Sequence, residues 1–218
     1  MRTGTGPDQP TKGTTMRLTL TNFITLDGVT QSPGAPEEDP SGGFNLGGWL
    51  PAHFDEAVGG FVSEIFGRAD AFLLGRHTYD LMAAWWPQVT DPADPVATAL
   101  NGLPKHVATS RTDELTWSGA RRLDGDVVKA VTELKNQPGR ELQIHGSSAL
   151  ARSLMADGLI DAYHLLVFPV VLGRGRRLFA DGVPPAGLKL VDNRTTGSGV
   201  ALMTYENAGA PVLGTIVE

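Results

Sequence analysis

The sequence contains no cysteine, and this absence excludes several kinds of chemistry at once. Thiol catalysis, cysteine-ligated zinc, iron–sulfur clusters and disulfide frameworks all need that residue. The histidines and carboxylates do not follow the spacings that are typical of metal ligands, so no metal is predicted. A chain without cysteine suits a reducing compartment, and we expect a cytoplasmic protein.

Long apolar runs and an excess of positive charge are also absent. No apolar run approaches the ~20 residues that span a bilayer, and the start of the chain lacks the apolar segment of a signal peptide. The 18 basic and 24 acidic side chains give a net charge of −6. Because a negatively charged protein repels a phosphate backbone, neither a membrane nor a nucleic acid is an expected partner.

The length and composition are those of one globular domain. The 218 residues include 41% hydrophobic and 19% charged side chains, and a domain takes roughly 150 residues. Residues 1–15 are rich in Gly, Thr and Pro, which predicts a disordered leader and leaves open whether Met16 is a second start. We therefore predict one folded domain at 16–206 and a tail at 207–218.

Apolar periodicity predicts strands that alternate with helices. A helical stripe begins at Pro51, and Asp126 precedes another. The predicted strands are Arg17–Thr25, Ala71–Leu74, His106–Thr109, Leu142–His145, Ala162–Leu172, Leu188–Val191 and Val200–Tyr205. Because crossover helices give parallel strands and the last two strands form an antiparallel pair, we predict an α/β fold: a mixed, mostly parallel sheet flanked by helices, with a C-terminal antiparallel hairpin.

Three predicted strand-to-helix junctions carry glycine and polar side chains. They are Gly75–Thr78, Thr109–Arg111 and Gly146–Ser148. At such an edge the helix N-termini attract anions, and we predict Thr78 and Ser147 as helix N-caps. The edge suits a dinucleotide, with the pyrophosphate on backbone N–H groups and hydroxyls, and with Arg76 or Arg111 on a ribose phosphate.

Several segments resemble a known family. Leu74–Tyr79, with the sequence LGRHTY, resembles the cofactor-phosphate motif of the dihydrofolate reductase superfamily. Other segments resemble, in the same order, the reductase domains of riboflavin-biosynthesis deaminase-reductases of the RibD C-terminal type: Thr25–Val29, Gly158–Asp161, Phe168–Gly173 and Arg177–Phe179. The resemblance extends from about Arg17 to Tyr205.

The resemblance implies a dihydrofolate-reductase-like fold that binds NADPH, forms a homodimer and reduces a small heterocyclic substrate. Hydride would pass to a C=N or ribosylamine-type carbon, as in 5-amino-6-(5-phosphoribosylamino)uracil reductase. Gly75, Arg76 and Thr78 would meet the 2′-phosphate and pyrophosphate. The adenosine half would lie beside Thr109, Ser110 and Arg111, and the pyrophosphate and nicotinamide side would be closed by Gly146, Ser147, Ser148 and Leu150. The dimer contact is expected at strand Ala162–Leu172 or at Trp85 and Trp86.

The proton donor is predicted less directly. Reduction of an imine needs a proton on nitrogen, and dihydrofolate reductases carry an Asp or Glu in a segment that resembles Leu50–Phe54. Here that place holds His53, whose side-chain type can donate a proton near neutral pH. Asp55 and Asp27 are the carboxylate candidates.

Other interpretations remain open at this point. A dihydrofolate-type pterin reductase and a non-catalytic nucleotide-binding domain both fit the motifs. The spacing Gly146-x-Ser148 faintly resembles the nucleophile turn of a serine hydrolase, although the second glycine is missing. Trp49 is either a core residue or a lid over a flat ring, and a solvated turn is the favoured prediction for Arg174–Arg177.

Overall fold

The computed structural model describes residues 15–216, and eight strands in this range form one sheet. The strands are β1 Arg17–Thr25, β2 Ala69–Gly75, β3 Lys105–Ala108, β4 Ala120–Arg122, β5 Glu141–His145, β6 Ala162–Phe168, β7 Leu188–Thr195 and β8 Ala201–Asn207. Their order is β4-β3-β2-β5-β1-β6-β8-β7. Pairing is parallel from β4 through β6, whereas β8 is antiparallel to both β6 and β7. The predicted mixed sheet with a C-terminal hairpin is thereby confirmed.

Five α-helices in this part of the chain flank the sheet. They are α1 Glu56–Phe66, α2 Arg76–Trp85, α3 Pro95–Gly102, α4 Val127–Lys135 and α5 Ser148–Ala156. Three of them directly follow an aspartate whose side chain accepts a hydrogen bond from a first-turn N–H. Asp55 precedes α1, Asp94 precedes α3 and Asp126 precedes α4. Such caps satisfy N–H groups that the helix itself leaves unpaired.

The core lies on both faces of the sheet because side chains alternate along each strand. In β2, Leu73 packs with α4 and α5, whereas Phe72 and Leu74 pack with α1, α2 and α3. In β5, Leu142 and Ile144 join the first cluster and leave Glu141, Gln143 and His145 on the opposite face. Burial lowers the pKa of His145 to about 3, with a further contribution from the charge of nearby His164, so this imidazole is neutral.

Two predicted boundaries are wrong. The helix expected from Pro51 begins at Glu56, because a short 3-10 turn at Pro51–His53 precedes the Asp55 cap. The long strand expected to reach Leu172 ends at Phe168. The next residue, Pro169, has no N–H to donate to a hydrogen bond between strands. Strand β6 is also paired on both edges, by β1 and β8, so it offers no edge for a dimer.

The chain ends differ slightly from the predicted limits. The expected leader lies outside the described residues except for Thr15, which forms a β-bridge with Pro138. Asn207, placed in the tail, completes β8. Between residues 15 and 216 no helix is both long and apolar enough to cross a membrane, and no group of three or more His, Asp or Glu is placed to hold a metal ion.

Candidate functional site

The structure brings the three predicted junctions together at one rim of the sheet. Strands β3, β2 and β5 are parallel neighbours, so their carboxyl ends face the same side. Two of the junctions are joined directly: Gly75 N donates to Ser147 Oγ at 2.9 Å, and Ser147 N donates to Thr78 Oγ1 at 3.2 Å. The starts of α2 and α5 therefore form one continuous surface.

The helices α2 and α5 begin without side-chain caps. Thr78 was predicted as a cap, but α2 begins at Arg76 after Gly75, and the threonine hydroxyl binds Ser147 instead. Ser147 does precede α5, yet its hydroxyl accepts from Gly75 rather than from its own helix. Both cap predictions are wrong in this respect. The first-turn N–H groups of both helices consequently lack the side-chain acceptor that aspartate gives α1, α3 and α4, and such groups attract anions.

The turn before α5 adopts an unusual backbone conformation. Gly146 has φ 60°, and Ser147, with a Cβ, has φ 46° and ψ 43°, in the left-handed region. A non-glycine residue there costs on the order of 1 kcal/mol and persists only when neighbours hold it. The two hydrogen bonds between Ser147 and the β2–α2 junction do so.

The third predicted junction, Thr109–Arg111, is not a strand-to-helix junction, because β3 is followed by a loop and β4 instead of a helix. It joins the rim through charged side chains. Arg76 and Arg111 approach each other across two aspartates, Asp80 of α2 and Asp113 of the loop after β3. Thr109 Oγ1 accepts from Arg111 N at 3.1 Å, which shapes the turn after β3. Ser110 is exposed beside it.

The rim continues past α5 toward β1. Ser148 Oγ lies 2.9 Å from Thr30 Oγ1, and buried Asn22 donates from Nδ2 to Gly146 O at 3.4 Å. Leu150 is partly buried against the core. These contacts connect the α5 turn to β1 and to Thr30 in the segment that follows it.

An aromatic cluster lies at the ends of β1 and β6. The ring of His53 is 6.4 Å from that of Phe168 and nearly perpendicular to it, and Phe23 and Trp49 contact the same phenyl ring edge-on. Trp49 is buried, with its indole N–H donated to Gln31 O at 2.9 Å, so it is a core residue and not a lid. His53 is partly exposed.

The carboxylates of Asp27 and Asp55 both accept hydrogen bonds that stabilise the fold: Asp27 binds loop residues, and Asp55 caps α1 and binds a loop. Burial raises the pKa of Asp27, but hydrogen bonds from Thr25, two backbone N–H groups and Arg177 outweigh it and leave the pKa at about 2. Asp55 accepts from Val58 N and Ser198 N, and the bond from Val58 is the main cause of a pKa of about 2. Both carboxylates are therefore ionised at neutral pH, and an ionised carboxylate has no proton to donate.

The arginines after β6 hold the long loop between β1 and α1. Arg174 donates to Gly43 O and to Asn45, and Arg176 donates to Ser41 and Asp39. His77, from the LGRHTY segment, lies 3.1 Å from the same buried Asp39 carboxylate. The long loop is therefore bound both to the turn after β6 and to α2. In contrast to the prediction, the turn at Arg174–Arg177 is not purely solvated, because Arg174 and Arg176 bind this loop.

Sequence reasoning missed several residues at the rim. Asp80 had a signal, because an acidic residue four positions after Arg76 on a helix predicts an ion pair. Asn22 and Thr30 had none, since their partners are distant in sequence, and Asp113 binds distant Arg76 as well as Arg111 two positions before it.

The topology and the rim define a protein of the dihydrofolate-reductase-like fold. The RibD C-terminal domain family matches residues 16–202, and the chain belongs to this family. A relative in Bacillus subtilis (strain 168), the uncharacterized protein YyaP, is 28% identical over 190 residues, which are 87% of this chain and 94% of the relative.

Solved structures show the same fold. A diaminohydroxyphosphoribosylaminopyrimidine deaminase/5-amino-6-(5-phosphoribosylamino)uracil reductase from Thermotoga maritima gives a TM-score of 0.59 at 15% identity, over 89% of this chain and 57% of that one. Dihydrofolate reductase from Enterococcus faecalis, complexed with NADP(H), gives 0.54 at 13% identity, over 88% and 96%.

Proposed function

We propose that the chain is an NADPH-dependent reductase that transfers hydride to a C=N or ribosylamine-type carbon of a small heterocyclic substrate. The activity would be similar to the uracil reductase named for the Thermotoga maritima protein. One observation supports the proposal above the others: α2 and α5 begin without side-chain caps at adjoining strand ends, and hydrogen bonds between Gly75, Ser147 and Thr78 hold these ends together.

The residues at the rim fit a dinucleotide. A pyrophosphate is an anion, and helix N-termini with available N–H groups bind anions. Gly75 and Gly146 carry no side chain that would keep a phosphate away from the backbone, and Thr78, Ser147 and Ser148 add hydroxyls. We infer that Thr109, Ser110 and Arg111 hold the adenosine half, next to Arg76. When bound, the reduced nicotinamide supplies the hydride.

Among the predicted proton donors, His53 suits the reaction best. Reduction of a C=N bond needs a proton on nitrogen, and Asp27 and Asp55 are ionised and occupied by loop hydrogen bonds. The His53 imidazole is partly exposed beside Phe168, and no residue of the described chain hydrogen-bonds to it. We infer that His53 donates the proton, and that the partly buried Phe23 forms an apolar wall for a flat ring.

The proposal is tested in two stages. Binding of NADPH is measured by calorimetry, and coenzyme oxidation is then followed at 340 nm, the usual wavelength for NADPH, with ribosylamino-pyrimidines, pterins, flavins and small imines. Turnover of a ribosylamino-pyrimidine supports the proposal. Turnover of pterins alone would make the chain a pterin reductase, and binding without any turnover would make it a nucleotide-binding domain.

The role of His53 has its own readout. His53→Asn should lower kcat, because the substrate nitrogen loses its proton donor, while NADPH affinity stays unchanged. A hydrolase has less support, because the Ser148 hydroxyl pairs with Thr30 and not with a histidine.

A further inference from the structure

Two carboxylates occupy the arginine pair at the ends of β2 and β3. Arg76 donates from Nε to Asp80 Oδ1 at 2.8 Å and from Nη2 to Asp113. Arg111 donates from Nη1 to Asp80 Oδ2 at 3.2 Å and from Nε to Asp113 Oδ1 at 3.1 Å. Each aspartate therefore bridges both arginines, and the four side chains form a closed ring with no formal net charge.

Arg76 has no exposed, unpaired nitrogen in this arrangement. Its remaining nitrogen, Nη1, is buried and has no hydrogen-bond partner within the described chain, and the whole side chain is 15% exposed. Arg111 is 58% exposed, but all three of its nitrogens bind the same two aspartates. Arg122 also approaches this segment, where its Nη2 donates to the main-chain oxygen of Asp113 at 3.4 Å. A phosphate would have to displace a carboxylate to reach the guanidinium of Arg76.

This ring of charged side chains should affect the binding of NADPH and of NADH differently. A phosphate monoester carries about 1.5 to 2 negative charges at neutral pH, so a 2′-phosphate would meet Asp80 and Asp113 as like charges while competing with them for the same N–H groups. A free 2′-hydroxyl is neutral and donates a hydrogen bond to a carboxylate, the contact that acidic side chains make with the ribose of NAD in other folds. The carboxylates therefore penalise NADPH and not NADH.

We propose that Asp80 and Asp113 limit the preference of this site for NADPH by holding the guanidinium groups of Arg76 and Arg111, so that NADPH binds only slightly more tightly than NADH. The inference rests on the proposed function, because it concerns the adenosine end of the same site. The attraction of a 2′-phosphate to two arginines and its repulsion by two aspartates largely cancel, and we expect affinities for the two coenzymes within about tenfold of each other.

Calorimetry of the full-length protein with NADPH and with NADH measures the affinity ratio. Asp80→Asn and Asp113→Asn keep the side-chain shape and each remove one negative charge. Each should shift the ratio toward NADPH by roughly three- to tenfold, since the repulsion that is removed acts between neighbouring charges that solvent screens. The affinity for NADH should change little. Glu133→Gln is the matched control, because it removes the same charge from an exposed position on α4.

The probes 2′,5′-ADP and 5′-AMP restrict the comparison to the adenosine end, and the same shift is expected for this pair. Binding of both coenzymes with a ratio that neither aspartate variant alters would overturn this inference alone. A preference of more than about a hundredfold for NADPH in the unmodified protein, nearly 3 kcal/mol, would also overturn it. If neither coenzyme binds, the proposed function and this inference are both overturned.

Discussion

Substitution of Asp27 tests whether this carboxylate stabilises the fold or transfers a proton in catalysis. It accepts hydrogen bonds from Thr25 Oγ1 at 2.6 Å, from Leu172 N at 3.2 Å and from Gly173 N at 2.9 Å, and Arg177 Nη2 lies 3.2 Å away. These bonds fasten the end of β1 to the segment that follows β6. Burial acts in the opposite direction, yet the pKa falls from its ordinary value of 3.8 to about 2.

The magnitude follows from this pKa. One pKa unit is worth about 1.4 kcal/mol, so the interactions of the ionised carboxylate contribute at most about 2.5 kcal/mol to the free energy of unfolding. The side chain of Asp27 is 19% exposed and that of Arg177 is 41% exposed, so solvent screens the pair and we expect Asp27→Asn to cost about 1–2 kcal/mol at pH 7. Because the pKa is lower in the folded state, the advantage of the aspartate is fully present above pH 4 and is lost as the pH falls through 2.

Urea unfolding of the unmodified protein and of Asp27→Asn at pH 7 and at lower pH measures this difference. Glu133→Gln controls for the change in net charge. Equal stabilities at pH 7, or a difference that stays constant down to pH 2.5, would refute the reasoning. If turnover is found, Asp27→Asn should leave the pH dependence of kcat near neutral pH unchanged. The Asp27 carboxylate is ionised there and therefore has no proton to transfer.

Three further predictions concern the rim and the buried face. Arg76→Ala should weaken NADPH far more than NADH in calorimetry, because it removes a positive charge and leaves Asp80 and Asp113 with Arg111 as their one shared partner; an equal loss for both coenzymes would contradict the assignment. Ser147→Ala should lower the free energy of unfolding by about 1–2 kcal/mol, since Gly75 N loses its acceptor, and Ser153→Ala at an exposed position of α5 serves as the comparison in the same urea titration. Burial and, to a smaller extent, the charge of neighbouring Arg68 lower the pKa of His164 to about 4. Because the unfolded chain takes up this proton more readily, the free energy of unfolding should fall as the pH drops from 6.5 to 4. In thermal unfolding, His164→Gln should make this pH-dependent loss of stability smaller.

The sequence supplied the elements and the general place of the site. Alternating and helical apolar patterns located β1, β5 and α4 to within a residue or two, because these patterns depend on neighbouring residues only. The LGRHTY segment indicated both the strand end and the family. The exact starts of α1 and α2 were not predictable in this way, because Asp55 and Gly75 compete with other plausible first residues such as Pro51 and Thr78.

The hydrogen-bond partners at the site were beyond the reach of local patterns. Gly75 and Ser147 are 72 positions apart, and Asp27 and Leu172 are 145 apart. No periodicity relates such residues, and a hydroxyl or carboxylate gives no indication in sequence of which distant N–H it will meet. The cap predictions did not allow for this competition, because the Ser147 hydroxyl binds across the rim. The hydrogen bonds of Asp27 and Asp55 to distant backbone N–H groups were equally beyond prediction.

The sequence by itself determined the alternation of strands and helices, the absence of thiol chemistry and the three polar turns that follow strands, because each depends on residue types within a short window. Only the tertiary structure decided that these turns meet at one rim, that two helix N-termini there lack side-chain caps, and that Asp80 and Asp113 hold both arginines. Those features arise when the parallel sheet places distant strand ends side by side, so that side chains choose partners by distance in space and not by spacing along the chain.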